Sequence, residues 1–259
     1  MSEEKGGGGK HTSTKSRFQD PKHFFPVVVD DFFNDPEMIV DYGKSLQMEP
    51  ETDGRYQPGK RSKPLWQIDE ILNETILLKI MSCYFDLSYM EIGWEASKLQ
   101  FQEIPRFSEN KNDVRNKGWI HQDDLTEYDM QLAGVIYLTP DIDPDSGTSL
   151  YNVKSNKHHR VYSKDLLYRD GLFDREEHIK SQTKHEENFV EKLRVQNIFN
   201  RLVMYDTCEW HRANSYYNGD GKDARLTLGF FVGNINPTPL KRIKNSELES
   251  IIKLQIGKK

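Results

Sequence analysis

The sequence predicts a mainly β protein with flanking helices, and three observations carry that prediction. Short apolar or alternating runs recur between residues 99 and 232, separated by clusters of Gly, Pro, Asp and Ser. Two helical patterns precede them, at 34–46 and 66–84. Hydrophobic residues are only 36% of the 259 and charged residues 30%, as expected of a soluble domain with large polar loops.

Taken in order, residues 1–20 read as a flexible tail. They hold a Gly6–Gly9 tetrad and no apolar core, unlike a signal peptide. Residues 24–33 read as a strand. Asn34 is the expected cap of the first helix, with Pro36 in its first turn and Glu37 three residues on; the helix runs to about Leu46. A polar loop follows at 50–64. Residues 66–84 place Ile68, Ile71, Leu72, Thr75 and Leu78 near helical spacing. Strands are expected at 99–104, 132–138, from the turn at 146–148 into Tyr151, at 201–205, and at 224–232, the clearest of them. Residues 154–197 read as a charged insertion, with a helix at 174–192. Phe189 and Leu193 would dock it over the barrel mouth as a lid, with surface decoration as the alternative. Residues 246–254 read as a short helix, and no internal repeat is present.

Two distant segments carry the chemistry. Residues 119–123 supply His121 and Asp123; residues 205–227 supply His211, Arg225 and Thr227. Residues two apart on a strand face one side, so His121 and Asp123 can reach one ion, and His211 adds a second imidazole. Two His and one carboxylate on one face of a metal leave positions open for dioxygen. A lone H-x-D is weak evidence; its setting in a run of strands, with an arginine downstream, strengthens it. A guanidinium binds a carboxylate through two parallel hydrogen bonds and stays charged in a pocket. Thr227 shares its side of the strand, and Tyr137 is a further donor. Gln100 and Gln102 are weaker candidates.

Plainer readings compete. His121 and Asp123 can cap a turn, His211 can be a core histidine, and Arg225 can be a surface ion-pair former. Asp124 and Cys208 have the wrong strand parity for the metal face. His158, His159, His178 and His185 read as solvated, and His11 and His23 fall near the start. Trp119 and Trp210 line a pocket or pack a core. Two His and one Asp also hold zinc, with water as a nucleophile, but zinc hydrolysis gives Arg225 no task.

Over about residues 95–233 the chain resembles the iron(II)/2-oxoglutarate-dependent dioxygenases. The resemblance is carried by His121-Gln122-Asp123, Ser146-Gly147-Thr148, His211 and Arg225-Leu226-Thr227, with Arg225 14 residues after His211. Residues 28–33 and 56–61 resemble an uncharacterised phage and bacterial branch of that superfamily. The resemblance implies a double-stranded β-helix (jelly-roll, cupin-like) core. It divides the chain into the tail at 1–20 and one oxygenase domain at 21–259. That domain comprises a helical buttress at 21–95, the core at 96–233 with its insertion at 154–197, and a tail at 234–259. It implies Fe(II) held by His121, Asp123 and His211, and 2-oxoglutarate held by Arg225 and Thr227, with Tyr137 as an extra donor. The implied reaction hydroxylates an unidentified substrate with dioxygen, converting 2-oxoglutarate to succinate and CO2. Asp123 disfavours the halogenating variant, which lacks that carboxylate. A non-catalytic jelly-roll binding or assembly module is the reading from another class.

Net charge is −5, so nucleic acid is not the favoured partner, although 60–63 and 241–244 are short basic clusters. Two cysteines, Cys83 and Cys208, argue against a disulfide framework and fit a reducing compartment, the cytoplasm or a host cytoplasm if viral. No apolar run has transmembrane length. The sequence sets neither the prime substrate nor an oligomeric state.

Overall fold

The computed structural model describes residues 24–50, 59–89, 91–123, 130–154, 174–236 and 256. The tail at 1–20, Asp124, His158, His159, the basic cluster at 241–244 and the expected helix at 246–254 lie outside the described residues, as does part of the loop at 50–64.

The strands are β1 (Val27–Val29), β2 (Glu49–Pro50), β3 (Lys60–Arg61), β4 (Ala96–Pro105), β5 (Met130–Tyr137), β6 (Thr148–Val153), β7 (Phe189–Val195), β8 (Leu202–Asp206), β9 (Trp210–Ala213) and β10 (Ala224–Gly233). They form two sheets. The larger has the order β1-β8-β5-β10-β4-β3-β2 and the smaller the order β7-β6-β9, with every pairing antiparallel. His121 extends the smaller sheet by one bridge to His211, beside β9. From β4 onward the chain crosses between the sheets: β4, then His121, β5, β6 and β7, β8, β9, β10. That winding is a double-stranded β-helix, mainly β with helices outside it.

The helices are α1 (Pro36–Ser45), α2 (Glu70–Met81) and α3 (Arg175–Glu186). Each begins where an aspartate caps the first turn. Asp35 accepts from Met38 N–H, Asp69 from Leu72 N–H and Asp174 from Glu177 N–H. Asp35 rather than Asn34 is therefore the cap of α1, with Pro36 at the first helical position, where its missing N–H costs nothing. The second helix starts later than expected because residues Leu65–Gln67 form a separate 3-10 turn.

Side chains alternate across a strand, and here both faces of the larger sheet are buried. The outer face (Leu99, Phe101, Ile136, Leu228, Phe230, Met204) packs on Ile39 and Val40 of α1 and on Ile76, Leu77 and Ile80 of α2. The contact with α1 is close at one point. A Cβ on Gly43 would lie 2.5 Å from the Phe101 ring, so only glycine admits that ring. The inner face (Ala133, Tyr137, Val203, Tyr205) packs on Leu150 and Val195 of the smaller sheet. The space between the sheets beyond that plug is the site.

The expected helix at 174–192 is a correction. It ends at Glu186, and Phe189–Val195 is strand β7, paired with β6. Phe189 packs on Tyr151 and Trp210 and Leu193 joins the inner core, so this part of the chain is barrel wall rather than a lid.

Candidate metal centre

His121 and His211 face each other across their bridge through reciprocal bonds, His121 N–H to His211 O at 2.9 Å and His211 N–H to His121 O at 2.8 Å. Their ring centroids are 4.4 Å apart. Asp123 closes the triangle, with Oδ1 3.9 Å from His121 Nε2 and Oδ2 3.6 Å from His211 Nε2. One ligand atom from each residue lies within 4.8 Å of the others. By residue type the three could serve as ligands of a single ion.

The hydrogen bonds assign the ring tautomers. His121 Nδ1 donates to the Trp119 carbonyl at 2.9 Å and His211 Nδ1 to the Glu209 carbonyl at 2.9 Å. A carbonyl only accepts, so each Nδ1 carries a proton, and each Nε2 is the ring atom turned toward Asp123. Two imidazole nitrogens and a carboxylate then converge, a donor set that could hold a cation. His211 is buried under the Tyr205 ring, whereas the His121 side chain is 48% exposed, so the centre opens toward the His121 side.

Across the cavity, Arg225 is buried, with 3% exposed. Its Nη1 donates to the Ser215 carbonyl at 3.2 Å and to Asn218 Oδ1 at 2.7 Å. Among the described residues no carboxylate pairs with it, and burial pushes its pKa down. Arg225 Nε and Thr227 Oγ1 are both buried without a hydrogen-bond partner among the described residues. Register places Thr227 opposite both Gln102 and Tyr137. The Tyr137 hydroxyl lies 2.8 Å from Thr148 Oγ1, and burial pushes its pKa up to about 12, so it stays a donor. A buried guanidinium without an anion is costly, by several kcal/mol. The chain therefore keeps one charge, one N–H and one hydroxyl unspent on the same face of β10.

His121, Asp123, His211 and Arg225 line one cavity of about 200 Å3, which also takes in Arg61, Gln102, Tyr137, Gly147, Thr148 and Tyr216. All six expected site residues thus meet in one place. Gln102 lines the cavity, whereas the Gln100 amide is committed to the Ser62 carbonyl at 2.8 Å. Gly147 is needed for packing, since a Cβ there would collide with the Val195 carbonyl of β7.

Some expectations fail here. His178 and His185 are not solvated but buried on the inner side of α3, against Trp119. Of the two readings of Trp119 and Trp210, core packing holds: they pack on α3 and Phe189 and are not among the cavity's lining residues. The carbonyls behind the two histidines and the Ser215 and Asn218 contacts to Arg225 were not foreseen. Backbone oxygens leave no mark in a sequence, and Asn218 reads only as part of an Asn-Gly turn.

The family described as "Family of unknown function (DUF6445)" matches residues 19–232 of the chain. Among curated proteins, none matches its sequence. Several solved structures are similar in shape. One is HygX from Streptomyces hygroscopicus with nickel and 2-oxoglutarate bound, 12% identical with a TM-score of 0.48 over 82% of this chain and 84% of that one. Another is a prolyl hydroxylase from Trichoplax adhaerens in complex with a hypoxia inducible factor peptide fragment, 12% identical, TM-score 0.45, covering 80% and 83%. A third is a Pseudomonas putida prolyl-4-hydroxylase, 11% identical, TM-score 0.44, covering 81% and 92%.

Proposed function

We propose that this chain, which belongs to the family of unknown function DUF6445, is an Fe(II)- and 2-oxoglutarate-dependent dioxygenase that hydroxylates a substrate not yet identified. One observation carries the reading: a buried guanidinium with no carboxylate partner among the described residues lines the same cavity as two imidazoles and a carboxylate aimed at one point.

In this reading His121, Asp123 and His211 hold the metal, and Asp123 lowers its net charge. Bound there, iron(II) and 2-oxoglutarate supply the oxidative chemistry, which yields succinate and CO2 and a hydroxylated product. The chain does the rest. Arg225 Nε and Thr227 Oγ1 receive the far carboxylate of 2-oxoglutarate, and Tyr137 adds a donor from the neighbouring strand. The Trp119 and Glu209 carbonyls fix the tautomer and orientation of both imidazoles. The burial of Arg225 and Thr227 keeps water from competing for that carboxylate. Zinc hydrolysis and a non-catalytic module both leave the buried arginine without a task.

Incubated in air with Fe(II), ascorbate and 2-oxoglutarate, the protein is expected to release succinate, and the Asp123→Ala variant is not. Equal succinate from both proteins rules the reading out.

A further inference from the structure

We propose that Glu186, the last residue of α3, is a positioning residue for the metal centre; the proposal rests on reading His121, Asp123 and His211 as metal ligands. The two histidines sit on separate chain segments that meet at an isolated bridge of two backbone hydrogen bonds, and Gln122 Nε2 adds a bond to the Cys208 carbonyl at 2.6 Å; among the described residues no longer ladder holds residue 121 in register. Further bracing comes from α3, behind the site. Glu186 Oε2 accepts from Lys117 Nζ at 2.7 Å, and Glu186 Oε1 accepts from Arg212 Nη1 at 2.7 Å. Lys117 precedes His121 by four residues and Arg212 follows His211 directly. One carboxylate thus spans both metal-bearing segments.

The neighbouring contacts point the same way. His185 Nε2 donates to the Ile120 carbonyl at 2.8 Å, beside the Trp119 carbonyl that orients His121. Lys192 of β7 meets Glu209 at 2.7 Å, and the Glu209 carbonyl orients His211. Arg212 is only 10% exposed and Glu186 25%, so their pairing is shielded from water better than an open surface pair. The inward side of the helix, His178, Gln182 and His185, is polar, and its two histidines lie against the Trp119 and Phe189 rings while His185 also holds the Ile120 carbonyl.

Glu186→Gln keeps the shape but puts an amide NH2 where a cation donates, so one arm is lost. Lys117→Met cuts only the arm to His121. The first readout is backbone hydrogen exchange in metal-free protein. In Glu186→Gln the His121 and His211 amides are expected to exchange about tenfold faster than in wild type, as a local opening would give, with the amides of Phe101 in β4 and Leu228 in β10 unchanged. The second is anaerobic Co(II) titration followed by its visible d–d band. Glu186→Gln is expected to bind about tenfold more weakly with a shifted band, in the range that loss of a partner behind a ligand costs. Lys117→Met should shift both readouts less, in the same direction. A lower melting temperature with unchanged amide exchange, Co(II) affinity and band would make Glu186 merely structural and overturn the proposal alone. Wild-type protein that binds no Co(II) overturns the metal reading, and this proposal with it.

Discussion

Replacing Arg225 by Met separates a ligand anchor from a structural ion. In the ligand-free protein the substitution removes a buried charge that has no carboxylate partner among the described residues, relieving a desolvation penalty of several kcal/mol. It also removes the bonds to the Ser215 carbonyl and Asn218 Oδ1, and leaving the buried Asn218 oxygen unpaired costs about 1–3 kcal/mol. These terms offset, so ligand-free stability should change by no more than about 2 kcal/mol. The 2-oxoglutarate complex should behave differently. Removing one partner of a buried charge pair costs roughly 2–5 kcal/mol, and about 4 kcal/mol weakens binding roughly 1,000-fold. At a 2-oxoglutarate concentration about 100 times the wild-type Kd, the ligand stabilises the folded protein by about 2.7 kcal/mol, and the weakened variant gains almost nothing. For a chain of this size that is a lost melting shift of about 5–10 °C. The assay is thermal unfolding with Mn(II), with and without 2-oxoglutarate. An Arg225→Met protein that keeps the wild-type shift refutes the anchor. A fall of more than about 4 kcal/mol in ligand-free stability would show instead that Arg225 is a structural ion held by bonds the reasoning undervalues.

Other consequences follow from the same geometry. His211→Ala, at the buried ligand, is expected to weaken Co(II) binding at least tenfold, read by isothermal titration calorimetry; an unchanged affinity would remove His211 from the centre. Gly43→Ala forces a methyl group to within 2.5 Å of the Phe101 ring and should destabilise by about 1–3 kcal/mol in urea unfolding, leaving 2-oxoglutarate affinity unchanged; no destabilisation would mean that α1 shifts freely on the sheet. The Tyr137 pKa is raised in the folded protein from 10.0 to about 12, so its contribution to stability is full below pH 10 and fades as pH rises toward 12. Tyr137→Phe should therefore flatten the alkaline limb of the stability profile, and an identical limb in both proteins would contradict that assignment.

The fold was legible where hydrophobic pattern and burial coincide. The run at 224–232 reads as a strand because both its faces are apolar or functional, and β10 lies centrally with both faces buried. β7 was misread for the opposite reason. It is an edge strand with Val190, Glu191 and Lys192 exposed, its pairing skips Lys192, and its charges continue those of α3. The inward stripe of α3 is His178, Gln182 and His185, which no hydrophobic period reveals, so both histidines read as solvated when they are buried. In the candidate site, strand parity relates Arg225 and Thr227 on β10, whereas His121 and Asp123 lie near each other although only His121 is bridged to a strand. The carbonyls that orient the imidazoles are local, two residues before each histidine, but backbone oxygens leave no mark in a sequence; the bracing of residues 117–121 from α3 depends on tertiary contacts. The Asn34–Asp35 choice of cap shows the ordinary one-residue ambiguity of helix starts.

The central claim, that one cavity holds Fe(II) and 2-oxoglutarate together, is tested most directly by anaerobic absorption spectroscopy. Fe(II) is added to metal-free protein and 2-oxoglutarate is then titrated in. A visible metal-to-ligand charge-transfer band that saturates at one 2-oxoglutarate per protein, and is lost in Asp123→Ala, is the predicted result. Fe(II) left unbound, or bound with no band at saturating 2-oxoglutarate, contradicts the account.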